Sequence, residues 1–140
     1  MLTHLLTFSL SSPVAAKKNA FRASITKRGR LYQYLDKGVK AREQSIADEI
    51  GEQIEKLGKN PALPVTGPCR VEISIDRRHA DVIGASETIL DAMQGSVYEN
   101  DRQALDLRLW HTKALPAGTY AIVRVSTFDP ADAPPPLEMP

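Results

Sequence analysis

The chain has 140 residues, the size of one ordinary domain and too short for two independent cores. Hydrophobic residues make up 42% and charged residues 25%, the balance of a folded globular protein. No apolar run approaches the roughly 20 residues that cross a bilayer, so no membrane span is expected. A single cysteine, Cys69, cannot close an intramolecular disulfide, and with only three histidines it argues against a thiolate zinc site. A reducing, cytoplasmic setting is the default expectation.

The formal charge of +1 conceals a segregation. Residues 1–42 hold nine of the eighteen Lys and Arg and one acid, Asp36, a balance of +8; the remainder carries −7. Such an asymmetry suggests a basic arm that meets a polyanion, with carboxylates gathered elsewhere for structure or metal.

The first sixteen residues mix Leu5, Leu6, Phe8 and Leu10 with Thr3, Thr7 and Ser9, and no Lys or Arg precedes them. That pattern reads as a strand with His4, Leu6, Phe8 and Leu10 on one face rather than as a secretory leader. Ser11-Ser12-Pro13 ends it. Lys27-Arg28-Gly29-Arg30 reads as a turn or hairpin tip, and Tyr32 and Tyr34 alternate with Leu31, Gln33 and Leu35 as in a short strand. By itself a basic run is an ordinary solvated surface.

Val39, Ile46, Ile50, Ile54 and Leu57 recur at helical spacing and predict a helix over 39–57, stopped by Gly58 and Asn60-Pro61. Cys69, Val71, Ile73 and Ile75 alternate with Arg70, Glu72, Ser74 and Asp76, a half-buried strand in which Cys69 is an apolar residue rather than a nucleophile. A second helix is expected over 82–94, capped by Asp81, closed by Gly95, and packed through Val82, Ile83, Ala85, Ile89, Leu90, Ala92 and Met93. Leu105, Leu107 and Leu109 alternate with Asp106, Arg108 and Trp110, Pro116-Ala117-Gly118 turns the chain, and Ala121, Val123 and Val125 form a last strand. The order predicts a single small α/β (α+β) domain over 1–129, a mixed sheet packed by two helices, with a basic arm at 17–42 and a proline-rich, unstructured tail at 130–140. There is no P-loop and no dinucleotide-binding glycine pattern.

The stretch from Asp76 to Met93, with Arg77, Arg78, Asp81 and Leu90-Asp91-Ala92-Met93, followed by Val97-Tyr98-Glu99-Asn100-Asp101-Arg102-Gln103, resembles the RusA family of Holliday junction resolvases. That family carries a basic run, an Asp-x-Asp-Asn motif, a Lys three residues later, a Leu-Asp-Ala-Leu-like helix and an Asp-Asp-x-Gln loop. The resemblance is strongest over 70–113 and extends loosely over the whole chain. It aligns Asp81 with the first Asp of the Asp-x-Asp pair and Asp101 with the second Asp of the loop. The family's second Asp is Ile83 here, its Asn is Gly84 and its Lys is Glu87.

The resemblance implies a RusA-like fold and a Mg²⁺- or Mn²⁺-dependent endonuclease that resolves four-way DNA junctions as a homodimer. Asp81 and Asp101 would hold the metal. Glu87, one turn after Ile83, could serve as a third ligand and catalytic carboxylate, since magnesium is commonly held by one or two carboxylates with waters and phosphate oxygens. A negative charge that binds no metal would instead repel DNA. Glu99 and Asn100 are candidates to support the metal, and His79 is a candidate general base. Lys17, Lys18, Arg22, Lys27, Arg28, Arg30, Arg77 and Arg78 would contact DNA phosphates, and Phe21, Tyr32 and Tyr34 could stack on bases.

The residue types also have plain structural readings: Asp81 as a helix cap, Asp101 as a turn residue, Glu87 as a solvated helix residue, Ile83 as core. His4 and His111 receive no role. The competing functional readings are a relative that binds branched DNA without cutting it, and an interaction protein that keeps the segment as scaffold.

Overall fold

A computed structural model describes residues 2–11, 21–25, 27–35, 37–58, 62–77 and 82–140. Strand β1 (His4–Leu10) is followed by a hairpin of β2 (Phe21–Ile25) and β3 (Leu31–Leu35), then helix α1 (Lys37–Lys56), strand β4 (Cys69–Asp76), helix α2 (Val82–Ala92), and strands β5 (Ala104–Thr112) and β6 (Ala121–Thr127). The main sheet has the order β1-β6-β4-β5, with β5 parallel to β4 and the other pairings antiparallel. The fold is thus the mixed-sheet α+β domain that the pattern predicts. The β2–β3 hairpin is a separate two-stranded sheet.

Period-2 alternation gives each strand of the main sheet one apolar face. Leu6, Phe8 and Leu10 of β1, Cys69, Val71, Ile73 and Ile75 of β4, and Ala121, Val123 and Val125 of β6 are all buried. They join Ile46 and Ile50 of α1, Ala85, Ile89 and Ala92 of α2, and Met93 just beyond it in one core. Helical spacing on α1 and α2 and alternation on the strands therefore meet in a two-layer packing.

Several residues depart from the expected burial, Leu105 and Leu107 of β5 among them at 57% and 42% exposed. His4 is exposed, because the β1–β6 register shifts between His4 and Leu6, and its Nε2 lies 2.8 Å from the Thr7 hydroxyl. Leu57 is exposed because α1 ends at Lys56, and Gly58 at φ +81° takes the left-handed conformation that closes a helix. Ile83 is 60% exposed, on the outer side of the first turn of α2. The second helix also stops at Ala92, two residues early, and Gly95 at φ +90° turns the chain. Beyond a short 3-10 turn at Pro130–Asp132, the tail is exposed and carries no helix or strand.

The opposite face of the main sheet is polar and held by ion pairs. Arg124 grips Glu72 through two hydrogen bonds of 3.0 and 2.7 Å, and Arg70 donates to Asp106 at 2.7 Å while Arg108 approaches the same carboxylate at 3.3 Å. Hydrogen bonding from Arg124 holds the Glu72 carboxyl below its ordinary range. At Asp106 burial works against ionisation, but the hydrogen bonds from Arg108 and Arg70 outweigh it and the shift is also downward.

A depressed folded-state carboxyl stabilises the fold above its unfolded value, about pH 4, and that contribution disappears as pH falls through the lowered value. The melting temperature should therefore drop on acidification below about pH 4, and Glu72→Gln should flatten part of that slope, as read by thermal melts from pH 7 to 2.5. Burial pushes the Cys69 thiol up to about 11. Disulfide-exchange reagents at pH 8 should leave the native protein unmodified and should titrate one thiol after denaturation.

Candidate functional site

The structure divides the expected site residues into those it describes and those it does not. Asp81, Arg78 and His79 lie outside the described residues, as do Lys17 and Lys18 of the arm. Arg22, Phe21, Tyr32 and Tyr34 lie on described strands, with Arg22 opposite Tyr34 and Ser24 opposite Tyr32, but their side chains are outside the description. Lys27, Arg28 and Arg30 occupy the exposed tip of the β2–β3 hairpin, where Gly29 at φ +81° lets the chain reverse. Arg77 is exposed at the end of β4, its N–H bonded to the carbonyl of Thr112.

Asp101 sits in a loop built around Gln103. The Gln103 side-chain oxygen accepts the N–H groups of Glu99 and Asn100, each at 3.0 Å. Its amide donates to the carbonyls of Val65, at 2.7 Å, and Gly67, at 3.0 Å. Asn100 caps the short 3-10 helix Asp101–Gln103 by accepting the Arg102 N–H at 2.9 Å. Beneath the loop the fully buried Tyr98 donates its hydroxyl to the Leu90 carbonyl. Burial, with Asp101 among the negative groups nearby, raises the Tyr98 pKa, so it is a neutral hydrogen-bond donor.

The carboxylate of Asp101 makes no hydrogen bond or ion pair with another described residue, and it is half-buried on this fixed turn. Glu87 is exposed on α2, one turn beyond Ile83, and is likewise unengaged among the described residues. This differs from Glu72 and Asp106, whose oxygens are committed to arginines. Asn100, expected as metal support, spends its oxygen on the cap. Glu99 is exposed beside it, with its N–H taken by Gln103. Sequence reading saw Gln103 only as part of the loop signature. Its role as the brace is visible only once Val65 and Gly67 are brought beside it.

Two ends of the sheet have to be distinguished. Because β5 runs parallel to β4, with Cys69 opposite Ala104 and Asp76 opposite Thr112, α2 must return the chain from the C-terminal end of β4 to the N-terminal end of β5. The loop with Asp101 precedes β5 and so lies at the N-terminal end. Val82 begins α2 at the other. At about 1.5 Å per residue, the eleven residues of α2 span about 16 Å.

Hard carboxylate oxygens on a fixed turn are the donor type that suits Mg²⁺. Among the described residues, no three His, Cys, Asp or Glu side chains converge as a metal-binding group. No helix among the described residues is long and apolar enough to cross a membrane. Comparison with protein-family models finds no match, and comparison with curated proteins finds none either.

Gln103→Ala removes four hydrogen bonds and leaves two part-buried carbonyls, of Val65 and Gly67, without that partner. At about 1 kcal/mol each, discounted for relaxation, it should cost about 2–4 kcal/mol, measured by urea denaturation.

Proposed function

We propose that this protein is a metal-dependent, structure-specific endonuclease of the RusA type that acts on four-way DNA junctions as a two-fold dimer. The observation that carries the reading is Asp101: a carboxylate on a turn braced by Gln103, yet itself uncommitted. A stability role would have used those oxygens, as at Glu72 and Asp106. A ligand needs its backbone fixed and its oxygens free.

Val82 and Glu87 lie near the start of α2, while Asp101 belongs with the far end of the crossover. One chain alone keeps the start of α2 apart from Asp101 by roughly the length of that helix. Two copies related by a two-fold axis would bring Glu87 of one chain to Asp101 of the other, and would do so twice; Asp81 precedes α2 in sequence and is the third carboxylate the resemblance names. Mg²⁺ held there would favour hydroxide formation from a water and offset charge on the scissile phosphate. The chain's own contribution is to hold the ligands, to bind backbone phosphates through Lys27, Arg28 and Arg30 at the hairpin tip with Arg77, and to bring two sites to two opposed strands. Lys17, Lys18, Arg22 and Arg78 extend that basic surface in sequence.

A second reading rests on Ile83. The resemblance asks for a carboxylate there, and an exposed isoleucine supplies no metal oxygen. On this reading the protein binds branched DNA and does not cut it.

The deciding experiment incubates a labelled four-way junction with the protein in Mg²⁺ and, separately, Mn²⁺. Paired symmetric cuts, reduced more than about 10²-fold by Asp101→Asn, are expected. Mixing Glu87→Gln with Asp101→Asn chains should recover single nicks, because each mixed dimer regains one intact site. Salt-sensitive junction binding without cuts in either metal would overturn the nuclease in favour of the binder. Absence of any junction preference would overturn both. Arg28→Ala should weaken junction binding and lower its salt-dependence slope by about 1.

A further inference from the structure

The outer face of the main sheet carries a feature that its ion pairs do not explain. Register places Trp110 of β5, Ser74 of β4 and Ile122 of β6 in one row across that face, and Arg108, Glu72, Arg124 and Thr7 in the next. Both helices pack with the core on the opposite side, so this face stays open among the described residues. A solvated sheet face ordinarily carries polar side chains. Trp110, the one tryptophan of the chain, is 45% exposed there, and its indole N–H has no acceptor among the described residues.

The two rows enclose a cleft of about 210 Å³, lined by Trp110, Ile122, Ser74, Thr7, Glu72 and Arg124. Trp110 and Thr7 stand on the two edge strands, three strand spacings or about 14 Å apart between backbones. Ser74 and Ile122 between them are smaller, and the hollow follows from that difference in size. An aromatic side, an aliphatic patch and a hydroxyl suit a flat ring that stacks on one face and hydrogen-bonds along its edge.

The charges around the cleft are layered. The face holds Arg70, Arg108 and Arg124 with Glu72, Asp76 and Asp106, so by count it is neutral. By depth it is not. The side chains of Glu72 and Asp106 are 13% and 17% exposed, whereas those of their partners Arg124 and Arg108 are 55% and 53% exposed. Each of these guanidiniums gives Nε and one terminal nitrogen to its carboxylate, and its second terminal nitrogen has no partner among the described residues. A guanidinium fixed along one edge and open along the other is oriented to take a phosphate oxygen. An aromatic ring, a hydroxyl and outward guanidiniums within one short span match a nucleotide, base and phosphate together.

We propose that this cleft binds one unpaired nucleobase, stacked on Trp110 with Ser74 at its edge and the adjoining phosphate against Arg124 and Arg108. Stacking of this kind tolerates any sequence, because every base has a π face. The proposal rests on the proposed function only in taking DNA as the ligand, and it adds a place for DNA outside the metal site. Trp110 stands six residues beyond Ala104, roughly 20 Å along β5 from the turn that carries Asp101. A base held there belongs to an unpaired flank or to an opened pair at a branch point, not to the scissile phosphate.

Trp110 reports on its own site. The intact protein, excited where tyrosine does not absorb, is titrated with oligothymidylate, which forms no duplex, and with an abasic strand of the same length. Oligothymidylate should quench the tryptophan, and the abasic strand should not, although both meet the basic residues. In anisotropy titrations of labelled oligothymidylate, Trp110→Ala should bind about 5- to 150-fold more weakly, the worth of one stacked base, and Trp110→Phe should regain most of that affinity. Quenching of the wild-type protein needs no variant, so the test holds even if an alanine at 110 harms folding. Equal quenching by the two strands overturns the proposal, as does no quenching at saturating oligothymidylate or a folded Trp110→Ala protein that binds like the wild type. Base-dependent quenching by a protein that leaves four-way junctions uncut keeps the cleft and rejects the nuclease. Junction cutting with an unresponsive tryptophan rejects the cleft and keeps the nuclease.

Discussion

The parallel pairing of β4 with β5 is the constraint from which the rest of the arrangement follows. An antiparallel neighbour could be reached by a tight hairpin, but a parallel one requires a crossover that carries the chain back along the sheet. Helix α2 is that crossover, and its buried residues Ala85, Ile89 and Ala92 join the apolar faces of the strands in one core. The same geometry separates the beginning of α2 from the loop before β5. Val82 and Asp101 are only nineteen apart in sequence, yet they stand at opposite ends of one structural unit. Sequence proximity within a motif-like segment is therefore a poor guide to proximity in space here.

The loop before β5 illustrates how polar groups are spent. Gln103 satisfies two N–H groups and two carbonyls at once, and Asn100 and Tyr98 satisfy two more. These backbone groups are met by amides and a phenol, and none of them draws on the Asp101 carboxylate. On the polar face of the sheet the allocation is reversed: the carboxylates of Glu72 and Asp106 are bound to arginines, and their ionisation is shifted downward accordingly. Acids of the same chemistry thus divide by what surrounds them. It is this division, rather than the presence of aspartate in a motif, on which the proposal for Asp101 rests.

The sheet and helices were legible in the sequence because their signals are local. Alternation at Cys69–Asp76 and the spacing of Ile46 and Ile50 state which residues go inside, and they do. Glycines at 58 and 95 mark turns through backbone conformations that other residues reach only at a cost. What failed to show were properties set by the neighbour. Ile83 belongs to the apolar set of α2 by composition, but its position on the outer side of the first turn leaves it in solvent. Leu105 and Leu107 alternate like a half-buried strand, and only the strand order shows that they stand at an open edge. Leu57 continues a helical stripe one residue beyond the helix. In each case hydrophobicity was read correctly and its burial was not, because burial depends on a partner that periodicity does not name. The basic arm is a further limit of this kind: its charge is countable from the sequence, while the described residues fix only the hairpin tip.

Ile83 and Glu87 bring these threads together. They lie on one face of α2, both exposed, at the spacing that makes side chains neighbours on a helix. An exposed isoleucine is tolerable on a monomer surface, where single apolar residues are common, so its exposure alone requires no partner. On the endonuclease proposed above, Glu87 would have to supply the oxygen that position 83 lacks. On the alternative, a Glu87 that binds no metal would set a negative charge against a DNA phosphate at the same face. The proposal therefore ties DNA binding at this face to a bound divalent ion, and the reading without a metal does not.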